Sequence, residues 1–296
     1  MFLAKKGYYQ GLFFLLLVMV VSCANDIITK FMGQRLAPME VTFFRFFFGL
    51  VTLLPFVCSM GFKVFKTKQL NANILRGVLG AVSFFLYTYS VVHVKLVEVV
   101  AILWTIPLFI LLLSALFLKE NVTGYRWAAT FIGFIGLSFI TLYDSDASFS
   151  FKLLYIAPIA ASFLFAVQDV IIKKMVADEN RITMLFYFAL ITSLFTLVPA
   201  IMVWLTPTPF EWAMLFILGA NGNIMQYLMF KAYNATDLSA LAPYRYIEFL
   251  LSAVFAFVFF LEIPGINVLV GALILIPSTL YLAYSENKKK KKQKTA

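Results

Sequence analysis

Ten apolar segments of about 18 to 25 residues follow one another along this chain, separated only by short polar connections. They fall at about 8–30, 39–60, 73–92, 97–117, 126–143, 153–173, 182–204, 210–231, 239–261 and 266–284. Each has the length a helix needs to cross roughly 30 Å of hydrocarbon. Backbone in hydrocarbon must satisfy its own polar groups, and a helix does so within one segment. With 62% hydrophobic and 13% charged residues, the 296-residue chain holds more apolar material than one soluble core uses. The expected class is therefore an all-α integral membrane protein with almost nothing left for a soluble domain. The first segment is longer than a signal-peptide core and shows no small-residue cleavage site, so a retained helix is expected there.

A net charge of +10 invites a nucleic-acid reading, but the placement of the charges argues against it. Of the 24 basic residues, 18 fall in connections and helix ends on the side of the N-terminus, Arg76, Arg126, Lys173 and the run Lys288 to Lys292 among them. Lys30, Arg35, Lys95 and Lys152 fall on the other side, and Arg45 and Arg245 lie inside spans. The excess of positive charge marks the cytoplasmic side and predicts that both termini are cytoplasmic. Membrane lipid is the expected partner of the basic tail, residues 286–296. Oligomeric state is left open by the pattern.

An internal repeat organises the chain. Asn25-Asp26-Ile27-Ile28-Thr29-Lys30 aligns with Gln168-Asp169-Val170-Ile171-Ile172-Lys173 at an offset of 143, and Phe117-Leu118-Lys119-Glu120 aligns with Phe259-Phe260-Leu261-Glu262 at 142. The expectation is two five-helix halves, 1–147 and 148–285. Five is odd, so the second half enters the membrane from the opposite side, an inverted-topology repeat with its binding site between the halves.

Charges inside such a protein are expensive and face a protein interior or a water-filled path. Arg245 and Glu248, in Ala242-Pro243-Tyr244-Arg245-Tyr246-Ile247-Glu248, are three residues apart and share a helix face. Either they pair with each other or they line a cavity. Arg45, in Phe43-Phe44-Arg45-Phe46-Phe47-Phe48, either snorkels to the headgroups or binds an acid, and its repeat counterpart is Phe188. Pro107 predicts a kinked fourth helix or a bared carbonyl, beside Trp104, a candidate stacking platform. Asn221, in Gly219-Ala220-Asn221-Gly222-Asn223, supplies an amide at membrane depth, where the small residues serve helix packing or cavity lining. Gly133 and Gly136 are read as close helix contact, His93 as an interface residue, Cys23 and Cys58 as packing residues, and Asp144 and Asp146 as solvated.

Asp26, Asp169, Glu248, Arg45 and Arg245 together form a mixed-charge set that suits a ligand bearing both signs. A guanidinium takes a carboxylate, and acids with rings such as Tyr244, Tyr246 or Trp104 take a cation. Asp26 and Asp169, near opposite faces by the repeat, are alternatively gate or capping residues; Gln168 and Pro107 are grouped with Asp169 as gating or symmetry-related, and Asn25 joins the candidate substrate-binding residues. Neither a nucleotide-binding loop nor a metal cluster nor a nucleophile triad occurs, so no cofactor and no enzymatic activity are expected.

Ten helices in two inverted halves, with Pro107 in the fourth and Glu120 and Glu262 before the fifth and tenth, resemble the EamA-type drug/metabolite transporter superfamily over nearly the whole chain. Ser22 to Asp26, Glu40 to Phe48 and Ala242 to Glu248 more narrowly resemble stretches of the S-adenosylmethionine uptake transporters of obligate intracellular bacteria. That resemblance implies a multi-pass protein of the bacterial inner membrane that imports S-adenosylmethionine, with S-adenosylhomocysteine as exchange partner. Its implied site has Arg45 or Arg245 on the carboxylate, Glu248 or Asp26 against the cations, and Trp104, Tyr244 or Tyr246 against adenine. Arg245→Ala is then expected to abolish binding in a folded protein. Carriers of amino acids or other small metabolites belong to the same superfamily and form the alternative, and a membrane scaffold would have no use for the buried charges.

Overall fold

A computed structural model describes residues 2–93, 102–143 and 153–248, with isolated helical positions at 251, 254, 258, 273, 274, 277, 281 and 284. Every regular element among the described residues is helical. In chain order they are α1 (Phe2–Met32), α2 (Pro38–Met60), α3 (Leu70–His93), α4 (Ile106–Phe117), α5 (Gly124–Tyr143), α6 (Ile156–Met175), α7 (Arg181–Met202), α8 (Pro209–Ala235) and the short α9 (Leu238–Leu241). Turns of 3₁₀ helix follow at Gly61–Phe65, Leu153–Tyr155 and Ala242–Tyr246. Among the described residues, six stretches are long and apolar enough to cross a membrane: Gly7–Thr29, Pro38–Phe65, Leu70–Tyr87, Ile156–Met175, Arg181–Met202 and Pro209–Ala235. Most of the tenth expected span, most of the ninth beyond Glu248, most of the third-to-fourth connection, Asp144, Asp146, Glu262 and the basic tail lie outside the described residues, as does the His93 side chain.

Local chemistry explains the helix ends. Thr208 and Glu211 form a reciprocal capping box at the start of α8, and Asn180 accepts from the amides of Ile182 and Thr183 at the start of α7. The α2 and α8 helices open with proline, whose missing N–H costs nothing in a first turn. The fourth expected span departs from a continuous helix. Ile102 and Leu103 are helical, Trp104 and Thr105 form a turn, and α4 restarts with Pro107 in its first turn. Carbonyls bared by this break are met from elsewhere: Thr105 and Ser162 hydroxyls donate to Ile102, and the Tyr246 hydroxyl donates to Trp104 at 3.2 Å.

Helices from the two parts of the chain interleave. The α1 helix packs along α8, α2 against α7 and α8, α3 against α6 and α7, and α4 against α6. Small residues set the closest crossing. A Cβ placed on Gly219 would lie 2.6 Å from the Gly49 backbone nitrogen, so α2 and α8 touch backbone to backbone. Gly133 on α5 similarly makes room for the Tyr246 ring, which would sit 2.4 Å from an added Cβ. Cys23 is buried and Cys58 exposed, and both are free thiols.

Candidate functional site

The interleaved helices leave a cavity of about 340 Å³ between them, within the size range of small-molecule sites. Its wall is assembled from distant parts of the sequence: Ser22 of α1, Arg45 of α2, Phe84 and Tyr87 of α3, Gln168 and Asp169 of α6, Phe188 of α7, Met225 and Gln226 of α8, and Arg245 and Glu248 after α9. Arg45, Phe84, Phe188, Met225 and Gln226 also bound an adjoining lobe of about 40 Å³ completed by Gly219, Gly222 and Asn223.

Arg245 and Glu248 reach this wall because the chain is not a plain α-helix there. Pro243 and Arg245 lie in the 3₁₀ turn Ala242–Tyr246, and Glu248 follows it in helical residues. Both charged side chains line the cavity. Arg245 nevertheless takes Asp169 of α6 as its ion-pair partner, by a short Nη1 to Oδ2 contact. Both side chains are largely enclosed, 23% and 8% exposed, and the pairing offsets the cost of burying two charges. Glu248 shares a hydrogen bond with Ser22 and feels the Arg245 charge.

Arg45 points inward rather than toward headgroups. Its guanidinium carbon lies 5.8 Å from the Phe84 ring centroid, and its Nε would be 3.6 Å from a Cβ on Gly222. The α8 helix is therefore bare of side chain where Arg45 approaches. Phe188, the repeat counterpart of Arg45, lines the same cavity.

Gln168 donates to Ser83 at 2.9 Å and stands on the wall beside Asp169. Asn25 is buried and points its amide nitrogen at the Met225 sulfur, 3.9 Å away. The Asp26 side chain lies outside the described residues. Three aromatic candidates are placed elsewhere. The Tyr244 hydroxyl meets the Tyr8 hydroxyl at 2.9 Å, Tyr246 is buried against Gly133 and the Trp104 carbonyl, and Trp104 sits at the break before α4. None of the three is a lining residue, and the rings that line the cavity are Phe84, Tyr87, Phe165 and Phe188. Asn221 is likewise absent from the wall. Two residues on, Asn223 faces the small lobe and donates to the Gly49 carbonyl at 2.6 Å and Thr52 at 2.9 Å.

Sequence reasoning missed other polar residues. Arg76, expected at a cytoplasmic helix end, is 0% exposed and sits between Phe188 and Phe230, with Gln226 and the Met184 carbonyl as acceptors. A signal was present in its small neighbours Gly77 and Gly80, whose added Cβ atoms would each fall 2.6 Å from α7 side chains. Glu120 accepts from the Leu238 and Ser239 amides, and Glu179 from Thr67 and the amides of Lys68 and Gln69. Lys173 donates to the Tyr233 and Thr236 carbonyls at the end of α8. These are tethers between helix ends, away from the cavity wall.

The EamA-like transporter family model matches the chain twice, over residues 9–142 and 152–284. The S-adenosylmethionine uptake transporter of Rickettsia bellii is 43% identical over 285 residues, spanning 96% of this chain and 97% of that protein. The riboflavin transporter of Brucella anthropi is 29% identical over 276 residues, 89% and 96% of the two chains. A solved crystal structure superposes with a TM-score of 0.79 at 17% identity, covering 96% of this chain and 98% of its own, which is a likeness of fold.

Proposed function

The chain belongs to the EamA-like transporter family, a family of membrane transporters rather than enzymes, and from that premise we propose that it imports S-adenosylmethionine across a bacterial inner membrane. It works by alternating access about the cavity between its halves, with S-adenosylhomocysteine as the counter-substrate. Ten spans in two inverted halves, 1–147 and 148–285, and a cytoplasmic basic tail at 286–296 complete the reading. Two family matches of about equal length, the six long apolar stretches and the one-sided basic residues support that architecture.

The observation that carries the substrate is the mixed-charge wall, seen beside the name of the Rickettsia relatives. Two arginines and two carboxylates, Arg45, Arg245, Asp169 and Glu248, share one cavity with four aromatic rings. S-adenosylmethionine offers a carboxylate, an ammonium, a sulfonium and an adenine. Arg45, which lines both the cavity and its small lobe, takes the carboxylate. Glu248 and Asp169 balance the cations, and the purine lies among the rings.

Uptake of labelled S-adenosylmethionine into proteoliposomes tests this, with vesicles empty or preloaded with S-adenosylhomocysteine. Stimulation by preloading supports exchange, and uptake without stimulation keeps the substrate and removes exchange. Folded protein that moves no S-adenosylmethionine overturns the substrate. Competition by methionine but not by adenosyl compounds would move the protein to the amino-acid carriers of the family.

A further inference from the structure

We propose that Gln226 determines specificity for the heteroaromatic ring of the ligand, and that Arg76 is the positioning residue that aims it. The inference rests on the adenosyl substrate above and assigns its ring to one corner of the cavity, where Gln226, Phe188 and Phe84 meet.

Arg76 is 0% exposed, and its Nη2 donates to the Gln226 side-chain oxygen at 2.8 Å while Nη1 donates to the Met184 carbonyl at 3.1 Å. A guanidinium has only donors, so the amide atom it meets must be oxygen. An amide whose rotation is ordinarily ambiguous is thereby fixed. Gln226 lines the cavity with its oxygen committed, and its NH₂ group is the end left for a ligand. That group donates, so the matching ligand atom is an acceptor, such as the ring nitrogen of a purine.

The rings argue for the same occupant. The Arg76 guanidinium carbon is 4.2 Å from the Phe188 centroid. A ring whose π charge already serves one cation is a poor seat for a second, and stacks better on a neutral heteroaromatic. Phe46 buttresses the corner edge-on, 5.4 Å from both Phe84 and Phe188. Phe188 is also held against α3, since a Cβ on Gly80 would lie 2.6 Å from it. Burying a whole guanidinium is costly, and Arg76 Nε has no acceptor among the described residues. A residue kept for packing alone would be cheaper as an apolar one.

The test is competition of labelled S-adenosylmethionine uptake by S-adenosylhomocysteine and its 1-deaza, 3-deaza and 7-deaza analogues. Wild-type protein should lose on the order of tenfold in affinity for one deaza analogue, the size of one hydrogen bond. In Gln226→Glu, which keeps an oxygen on Arg76 but removes the donor, the parent compound should fall to the level of that analogue. Gln226→Leu serves as the second donor-free variant. Arg76→Lys should narrow the discrimination while thermal stability stays near wild type, a selectivity change that loss of packing would not produce. Discrimination that persists in both Gln226 variants overturns the proposal, and so does wild-type protein that transports S-adenosylmethionine yet treats all analogues alike. Wild-type protein that transports none overturns the substrate reading as well, so the two failures are distinguishable.

Discussion

Arg45 and Arg245 are the two arginines that the spacing of apolar segments puts inside the membrane, and the fold treats them in opposite ways. Arg245 is closed onto Asp169, with Glu248 beside it, so its corner of the cavity carries one formal negative charge in excess. Arg45 stands at the other lobe among Phe46, Phe84, Gly222 and Asn223, where no acid is among the described lining residues. The mixed charges read from the sequence are thus sorted rather than scattered. One corner is net negative and the other positive, over a wall whose formal charges cancel. A ligand with separated charges fits such a cavity in one direction only, which lines of mixed charge would not enforce.

The largest effect should come from breaking the closed corner. Asp169→Asn strips the enclosed Arg245 of its partner, and a buried pair broken from one side costs roughly 3 to 5 kcal/mol. The expected outcome is a clear fall in Tm in detergent together with loss of uptake. Removing both charges, as Asp169→Leu with Arg245→Met, should return most of the stability and none of the transport. This revises the expectation for Arg245→Ala. Asp169, only 8% exposed, would be left uncompensated, so that variant tests folding and binding at once. A double variant no more stable than Asp169→Asn would refute the compensation.

Arg45 should behave differently, because the lobe it faces is bounded partly by glycine and tolerates change there. Arg45→Gln is expected to weaken competition by S-adenosylhomocysteine by 10- to 100-fold, about 1.5 to 3 kcal/mol for a charged hydrogen bond, with Tm little altered. The carboxyl methyl ester of the same competitor should bind wild type and variant alike. If the ester also loses affinity in the variant, Arg45 is not the carboxylate ligand.

How much of this could be read beforehand follows from what each residue had as alternatives. The spans at 39–60, 182–204 and 210–231 lie close to Pro38–Met60, Arg181–Met202 and Pro209–Ala235, because a bilayer-length apolar run has no other way to satisfy its backbone. The span at 97–117, expected to kink or bare a carbonyl at Pro107, breaks just before that proline, at Trp104 and Thr105, with the Ile102 and Trp104 carbonyls met by hydroxyls. Charged wall residues were legible because a charge in an apolar run has few places to go. Gln226 was not, as a neutral amide hardly disturbs hydropathy. The partners of Tyr244 and Tyr246, Tyr8 and the Trp104 carbonyl, are remote in sequence and could not be read from spacing. Arg76 lay near enough to a span end to pass for a topology charge, and only packing against α7 and α8 takes it inside.

A charge tether away from the wall isolates what the cavity adds. Glu179 accepts from Thr67 Oγ1 at 2.6 Å and from the amides of Lys68 and Gln69 at 3.1 and 3.2 Å, just ahead of α3. Glu179→Gln keeps the shape and loses the negative charge at a helix start, worth about 1 kcal/mol. Tm should fall modestly, and the order of competitors should not change. A changed order would mean that the tether communicates with the cavity and that the sorting of charge is not confined to its wall.

The smallest effect is expected at Arg35 and Glu211, which repeat the chemistry of Arg245 and Asp169 at the opening of α8. Arg35 donates through Nε at 2.7 Å and through Nη2 to the same carboxylate, yet its side chain is 39% exposed. Water can replace the exposed guanidinium there while the Glu211 carboxylate keeps the Thr208 amide, and salt screens what attraction remains. Arg35→Ala should leave Tm nearly unchanged, with any difference vanishing at high ionic strength, whereas the loss in Asp169→Asn should be insensitive to salt. The two pairs share a guanidinium and a carboxylate and differ mainly in how exposed the guanidinium is, so measuring both across a salt series separates the guanidinium–carboxylate bond from the environment that holds it. Equal losses with equal salt dependence would show that enclosure is not what distinguishes the Arg245 corner, and the contrast with Arg45 would then need a different cause.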